Sequence, residues 1–209
     1  MLCVEVIMQS ELQRFEQSLR ANGQAFGVEL SDDALARLGT YYSLLTRWND
    51  RLHLVAPCAP EEFATRHVLE SLILLEHLPP GATIADVGSG GGLPIIPCLI
   101  ARPDLKATLV ESSQKKAVFL REALSAVERK ATVIARRFEE IEAPRVDFVT
   151  CRALDRFIRQ IPLLKAWAPK GATLLLFGGE TLLRAERYLI PGSEKRYLFV
   201  ERDKTRTAD

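Results

Sequence analysis

The residues of this sequence that could do chemistry together are a glycine loop, a carboxylate and an arginine. Asp86-Val87-Gly88-Ser89-Gly90-Gly91-Gly92-Leu93-Pro94 carries four glycines within the seven residues from Gly88 to Pro94. Glycine admits positive φ and leaves no Cβ between the backbone and a ligand. Gly88 and Gly90 begin the dinucleotide fingerprint G-x-G-x-x-G, but Leu93 stands where a third glycine would bring a helix N-terminus close to a pyrophosphate. The loop therefore suits a ligand that has no pyrophosphate. Glu111 follows Gly90 by about 20 residues, the offset at which α/β nucleotide folds place an acid on ribose hydroxyls. With Ser112 and Ser113 it also stands where a cap for the next helix would be.

These groups need strands to bring them together. Apolar, β-branched runs at 83–87, 107–111, 131–135, 146–150, 172–177 and 196–201 alternate with helical segments, which predicts a mostly parallel sheet covered on both faces. Pro94 suits the first turn of a helix over Ile95 to Ala101 that stops before Pro103. A further helix is expected over Lys115 to Val127. In such a sheet the ligand lies outside the carboxyl ends of the strands. After the third run comes Arg136-Arg137-Phe138-Glu139-Glu140, where Phe138 either packs on an adenine or fills the core. After the fourth comes Cys151-Arg152-Ala153, which places Arg152 at the rim, able to clamp a carboxylate or phosphate.

Before residue 81 the period is helical. Leu12, Phe15 and Leu19 mark one amphipathic helix, Leu35, Leu38, Tyr42 and Leu45 a second with Ser31, Asp32 and Asp33 at its N-terminus, and a third is expected over Pro60 to His77. In the third, Phe63, His67 or Val68, Leu72 and Leu75 should face inward. Residues 1–80 thus read as a helical cap and 81–209 as an α/β core in one structural unit, with a polar, disordered tail after Arg202.

Composition narrows the class. The chain has 209 residues, 47% of them hydrophobic, and a net charge of +1, which suits one ordinary domain. Charge is uneven: residues 130–170 hold nine basic and five acidic groups, an excess of +4 that leaves −3 elsewhere and suits a polyanionic substrate. Cys3, Cys58, Cys98 and Cys151 form no C-x-x-C and the histidines show no zinc spacing, so no metal is expected and the thiols read as reduced. The apolar start from Met1 to Met8 is too short to span a bilayer and lacks the flanks of a signal peptide, so a cytoplasmic location is expected.

Taken together, D-x-G-S-G-G-G-L-P from Asp86, the acid at Glu111, R-x-E-E from Arg137 to Glu140 and C-R-A from Cys151 resemble the bacterial small-subunit rRNA guanine-N7 methyltransferases, the RsmG or GidB family. Arg66-His67-Val68-Leu69-Glu70-Ser71 resembles that family's R-H-I-L-D-S, and Arg47-Trp48-Asn49 its K-W-N. The resemblance implies a class I S-adenosylmethionine-dependent methyltransferase fold, Rossmann-like with a seven-stranded, mostly parallel sheet. It implies that Asp86, Gly88, Gly90 and Leu93 line the cofactor, that Glu111 holds its ribose and Phe138 and Glu139 its adenine. Arg152 would sit at the cofactor–substrate junction, as the one catalytic candidate. The implied substrate is 16S rRNA or the small ribosomal subunit. Two departures stand out: His53-Leu54-Val55 replaces the family's N-L-T, and Gly178-Gly179 replaces a lysine and glycine after the fifth strand.

Guanine N7 carries a lone pair and no proton, so its methylation needs positioning more than a general base. The alternatives are a methyltransferase acting on another RNA or a small molecule, and a non-catalytic, cofactor-binding ribosome-assembly factor. A nicotinamide dehydrogenase is disfavoured by Leu93 and by the lack of a histidine near the strand ends.

Overall fold

The structure is a computed structural model that describes residues 2–152, 158–180 and 185–202. Ala153 and the tail after Arg202 lie outside the described residues. Seven strands form one sheet: β1 (Thr83–Val87), β2 (Lys106–Val110), β3 (Thr132–Ile134), β4 (Phe148–Cys151), β5 (Thr173–Gly179), β6 (Glu186–Leu189) and β7 (Arg196–Glu201). Their order is β3-β2-β1-β4-β5-β7-β6. The first five run parallel, and β7 lies antiparallel to both β5 and β6. The order reverses between β1 and β4, so a crevice opens there at the carboxyl ends of the strands.

Six of the seven strands coincide with the apolar runs of the sequence. The seventh, β6, does not, because Glu-Arg-Tyr-Leu is exposed throughout and pairs with β7 alone, at the sheet edge, where burial imposes no apolar pattern. Strand β4 ends one residue later than expected, which makes Cys151 part of the sheet.

Helices precede and interleave the strands. α1 (Leu2–Asn22) and α2 (Asp32–Leu52) are regular, and Ser31 caps α2 by accepting a hydrogen bond from Ala34 N–H at 3.2 Å. The expected helix over 60–77 forms, labelled here α3, but it is not a uniform α-helix. An α turn (Pro60–Glu62) passes into a π-helical stretch (Phe63–Leu69), an α turn (Glu70–Leu72) and a 3₁₀ turn (Ile73–His77). α4 (Ile95–Ala101) begins just after Pro94, as expected, α5 (Gln114–Ala126) is capped by Ser113, and α6 (Ile161–Trp167) follows β4.

Strand alternation assigns each face its own core. Ile84, Ala107, Leu109, Leu175 and Leu198 point to one side, where they meet Phe15, Tyr41, Phe63 and Leu72 of the first three helices as well as α4 and α5. Ala85, Val87, Val110, Val149 and Phe199 point to the other side, against Phe138, Ile161 and Leu164. The helices before β1 therefore share a continuous core with one face of the sheet.

Two polar contacts fix those helices to the glycine loop. The Tyr41 hydroxyl, fully buried, donates to the Gly91 carbonyl at 2.5 Å. Asn49 Oδ1 accepts from Leu54 N–H at 2.8 Å and Val55 N–H at 3.0 Å, while its amide donates to Val55 O at 3.1 Å. This clamp seats Leu54 against the loop, since a Cβ added to Gly91 would lie 3.4 Å from Leu54 Cβ. His53, where the resembled family has Asn, adopts φ +47 at the α2 C-terminus, a conformation that favours Asn, Asp and His over other side chains.

Removing the Tyr41 hydroxyl leaves the buried Gly91 carbonyl without its donor. Tyr41→Phe should cost about 1–3 kcal/mol of stability, read as a lowered midpoint in urea with unchanged slope.

Candidate functional site

Three strand ends converge at the crevice. The glycine loop leaves β1 and folds back on β2: Gly88 N–H and Ser89 N–H both donate to Val110 O, at 2.8 and 3.3 Å. Glu111, buried at the end of β2, accepts from Gly90 N–H through Oε2 and from Ser113 N–H through Oε1, each at 2.8 Å. One carboxylate therefore holds the loop and supports the entry to α5, the second of these being the capping position the sequence offered. Lone pairs remain on both oxygens for ribose hydroxyls.

The glycines divide by what surrounds them. A Cβ on Gly92 would lie 2.4 Å from Ile96 Cδ1, so that glycine serves packing. At Gly88 (φ +74) a Cβ would meet nothing within 4 Å, and at Gly90 (φ +51) only Gly88 O at 3.7 Å. Backbone there faces open space, as a loop that cradles a ligand requires.

That space continues into a cavity of about 250 Å³. Val87, Gly88, Val110, Phe138, Glu139 and Gln160 are among its walls. Phe138 is both core and wall: only 8% exposed, it packs edge-on against Trp167 with ring centroids 5.7 Å apart. Trp167 is held in turn by its indole N–H, which donates to Ile141 O at 2.9 Å.

Gly88, Phe138 and Glu139 thus come together, with Glu111 beside them. Asp86 and Arg152 lie on the other side of the pleat. Asp86 pairs in register with Thr150, two residues before Arg152, and all three face the helices that precede β1. Leu93 is 8% exposed and belongs to the hydrophobic core of that side, away from the cavity wall.

The position expected for Arg152 is corrected by the structure. Its guanidinium is not at an open rim; the side chain is 17% exposed and fastened to α3. Nη1 donates to His67 O and Ser71 Oγ, both at 2.9 Å, and Nη2 donates to Arg66 O and lies 3.3 Å from Glu70 Oε2. The irregular helix makes this possible. Glu70 N–H bonds back to Thr65 O in the wide π register, and the carbonyls of Arg66 and His67 turn to the arginine. Glu70, nearly buried, also takes Arg196 Nη2 at 2.8 Å. Burial raises the Glu70 pKa while the two guanidiniums oppose that rise. His67 is pushed down to about 3 by burial and by the neighbouring arginines, so it stays neutral.

Asp86 is the other outlier. Both carboxylate oxygens and the neighbouring Thr150 hydroxyl are buried without a hydrogen-bond partner among the described residues. Burial raises its pKa to about 8. Unpaired acceptors directly below an open glycine loop fit a cofactor carrying a cationic group, and the Gly88 space fits its backbone approach.

The departure at Gly178-Gly179 is also placed. Both residues lie within β5, opposite Tyr197 and Arg196 of β7. The basic excess over 130–170 is partly taken up in ion pairs: Arg152 is on the buried Glu70, and at the surface Lys165 is on Glu201 at 2.7 Å and Arg136 lies 4.0 Å from Glu140. Among the described residues no group of His, Cys, Asp and Glu is arranged to hold a metal, and no helix is long and apolar enough to cross a membrane.

Comparison with known proteins decides the family. A family model described as rRNA small subunit methyltransferase G matches residues 34–187. The chain belongs to that family. It is 41% identical over 177 residues to the ribosomal RNA small subunit methyltransferase G of Sorangium cellulosum, covering 81% of this chain and 73% of that one. The Neisseria meningitidis protein of the same name is 39% identical, covering 66% and 67%. The Anaeromyxobacter dehalogenans protein is 35% identical, covering 82% and 81%. Among solved structures, MtNAS in complex with MTA and tNA aligns with a TM-score of 0.54 at 14% identity, over 95% of this chain and 72% of that one. A Plasmodium falciparum chain assigned as a protein-L-isoaspartate O-methyltransferase, solved with S-adenosyl-L-homocysteine, aligns with a TM-score of 0.52 at 15% identity, over 88% and 94%. These likenesses show the class I methyltransferase fold, and family membership makes the chain a methyltransferase.

Two outcomes follow from the buried groups. Arg152→Ala leaves Glu70 short of one partner and takes a guanidinium donor from Arg66 O and His67 O, the latter keeping the Ser71 hydroxyl, so it should lower stability by about 3–5 kcal/mol in urea denaturation, not leave it at the parent value. Asp86 behaves differently. The folded chain keeps its carboxyl protonated up to about pH 8, whereas the unfolded chain ionises it near pH 4. The folded state therefore binds the extra proton between those values and loses stability as pH rises across them. Asp86→Asn removes that loss, so its Tm relative to the parent should climb from about pH 5 to about pH 8 and then level off, as scanning calorimetry would record.

Proposed function

We propose that this chain transfers the methyl group of S-adenosylmethionine to N7 of a guanine in 16S rRNA, in the cytoplasm, on RNA free or within the small ribosomal subunit. The observation that carries the proposal is the open backbone of Gly88 and Gly90, tied to the buried Glu111 carboxylate and continuous with a 250 Å³ cavity, in a chain of this family. Gly88 and Gly90 would approach the cofactor with backbone, Glu111 would hold its ribose, and Phe138 and Glu139 would border its adenine. Asp86 would face its cationic end, and Arg152 would position that end through α3. When bound, the cofactor supplies an electrophilic sulfonium methyl.

The protein's own contribution is placement. A guanine N7 attacks with its lone pair and has no proton to lose, so no general base is needed. His67, beside Arg152, suits that chemistry: held at about 3, it is a poor proton acceptor at neutral pH. Rate would then depend on holding the reacting atoms about 3–3.5 Å apart and in line.

The test is to incubate the purified protein and labelled adenosylmethionine with small subunits, or naked 16S rRNA, from a strain lacking the gene. Borohydride and aniline should then cleave the RNA at a single guanine. Label at another atom or in another RNA class would replace the substrate assignment, and cofactor binding without transfer would leave an assembly factor. Glu111→Ala should weaken S-adenosylhomocysteine binding by about 2–4 kcal/mol in calorimetry, since charge-assisted bonds to ribose and the support of Gly90 go together.

A further inference from the structure

We infer that Gln160 is a specificity residue of the cofactor site, whose side-chain carbonyl accepts a hydrogen bond from the exocyclic amino group of the cofactor's adenine. The inference rests on the cofactor reading above and adds a contact to it. Gln160 precedes α6 as its N-cap residue, yet its side chain makes no capping hydrogen bond. It reaches instead to the wall of the 250 Å³ cavity, opposite the strand ends that carry Val87 and Gly88. Its Oε1 is buried and has no hydrogen-bond partner among the described residues. An amide oxygen left that way costs about 1–3 kcal/mol, a cost that a ligand donor would recover.

The cavity's chemistry says which donor. Val87, Val110 and Phe138 make apolar walls, and the Phe138 ring is fixed edge-on against Trp167 at 5.7 Å, a slot for a flat aromatic base. Glu111 lies at the end of β2, so a ribose bound there places the base toward Phe138 and Gln160. Adenine offers acceptors at N1, N3 and N7 but only one donor group on its ring edge, the amino group on C6. An unpaired acceptor in an adenine slot has that group alone to take. Glu139 also borders the cavity but is exposed, so water already satisfies its carboxylate.

The experiment is a cycle of two proteins and two ligands. Calorimetry would measure the parent chain and Gln160→Met with S-adenosylhomocysteine and with the analogue in which hydrogen replaces the C6 amino group. The parent should prefer the adenine ligand by about tenfold. Gln160→Met should lose most of that preference, by weakening adenine binding and leaving the analogue near the parent value. The apo Tm of Gln160→Met should be equal or higher, because an unpaired buried oxygen is gone. An undiminished preference in Gln160→Met overturns the assignment, as does a lowered apo Tm with parallel loss for both ligands. Failure of the parent to bind S-adenosylhomocysteine at all would instead strike the cofactor reading beneath it.

Discussion

The Glu111 carboxylate is the constraint on which the rest of the site depends. It ends β2 and reaches sideways to Gly90 N–H, so the loop after β1 has its shape only while β2 is paired beside it. The other oxygen supports Ser113, whose hydroxyl starts α5, and α5 fills the sheet face shared with the first helices. Loop, helix entry and core packing are joined through one side chain. A ribose binding at the same carboxylate would meet an acceptor that is already aimed and already desolvated, which lowers the ordering cost of binding.

Much of this was legible in the sequence because burial writes patterns. The strands β1 and β2 are mostly apolar, since both faces are covered, and Pro94 with Pro103 brackets α4 closely. The residues around the glycine loop were legible through glycine's special backbone. What escaped was set by tertiary contact. Strand β6 is exposed on every residue and carries no apolar signal. The π register over 63–69 has no local sequence mark, because it is fixed by Arg152, more than 80 residues away, taking two of its carbonyls. Tyr41 lies outside the stripe of Leu35, Leu38, Tyr42 and Leu45, and nothing nearby in sequence announces its bond to Gly91.

The pleat of β1 sorts the expected site residues in a way that a linear motif conceals. Val87 points into the cavity and Asp86, its neighbour, points to the opposite side. The loop at the strand end, with Gly88 and Gly90 free of side chains, lies between the two sides. The glycines therefore stand between a cavity side walled by Phe138 and a side governed by Asp86 and Arg152.

The shared anchoring of Arg152 and Arg196 on Glu70 has an electrostatic consequence. Two cations meet one anion, and His67 beside them is neutral, so an unbalanced positive charge is lodged just beneath the end of β4. Arg152 lies largely inside the protein while the Arg196 side chain is 36% exposed at its edge, so salt attenuates only part of this charge, less than it attenuates that of a fully surface-borne pair. An RNA backbone drawn toward that point would feel it at ionic strengths where the outer basic groups have been masked.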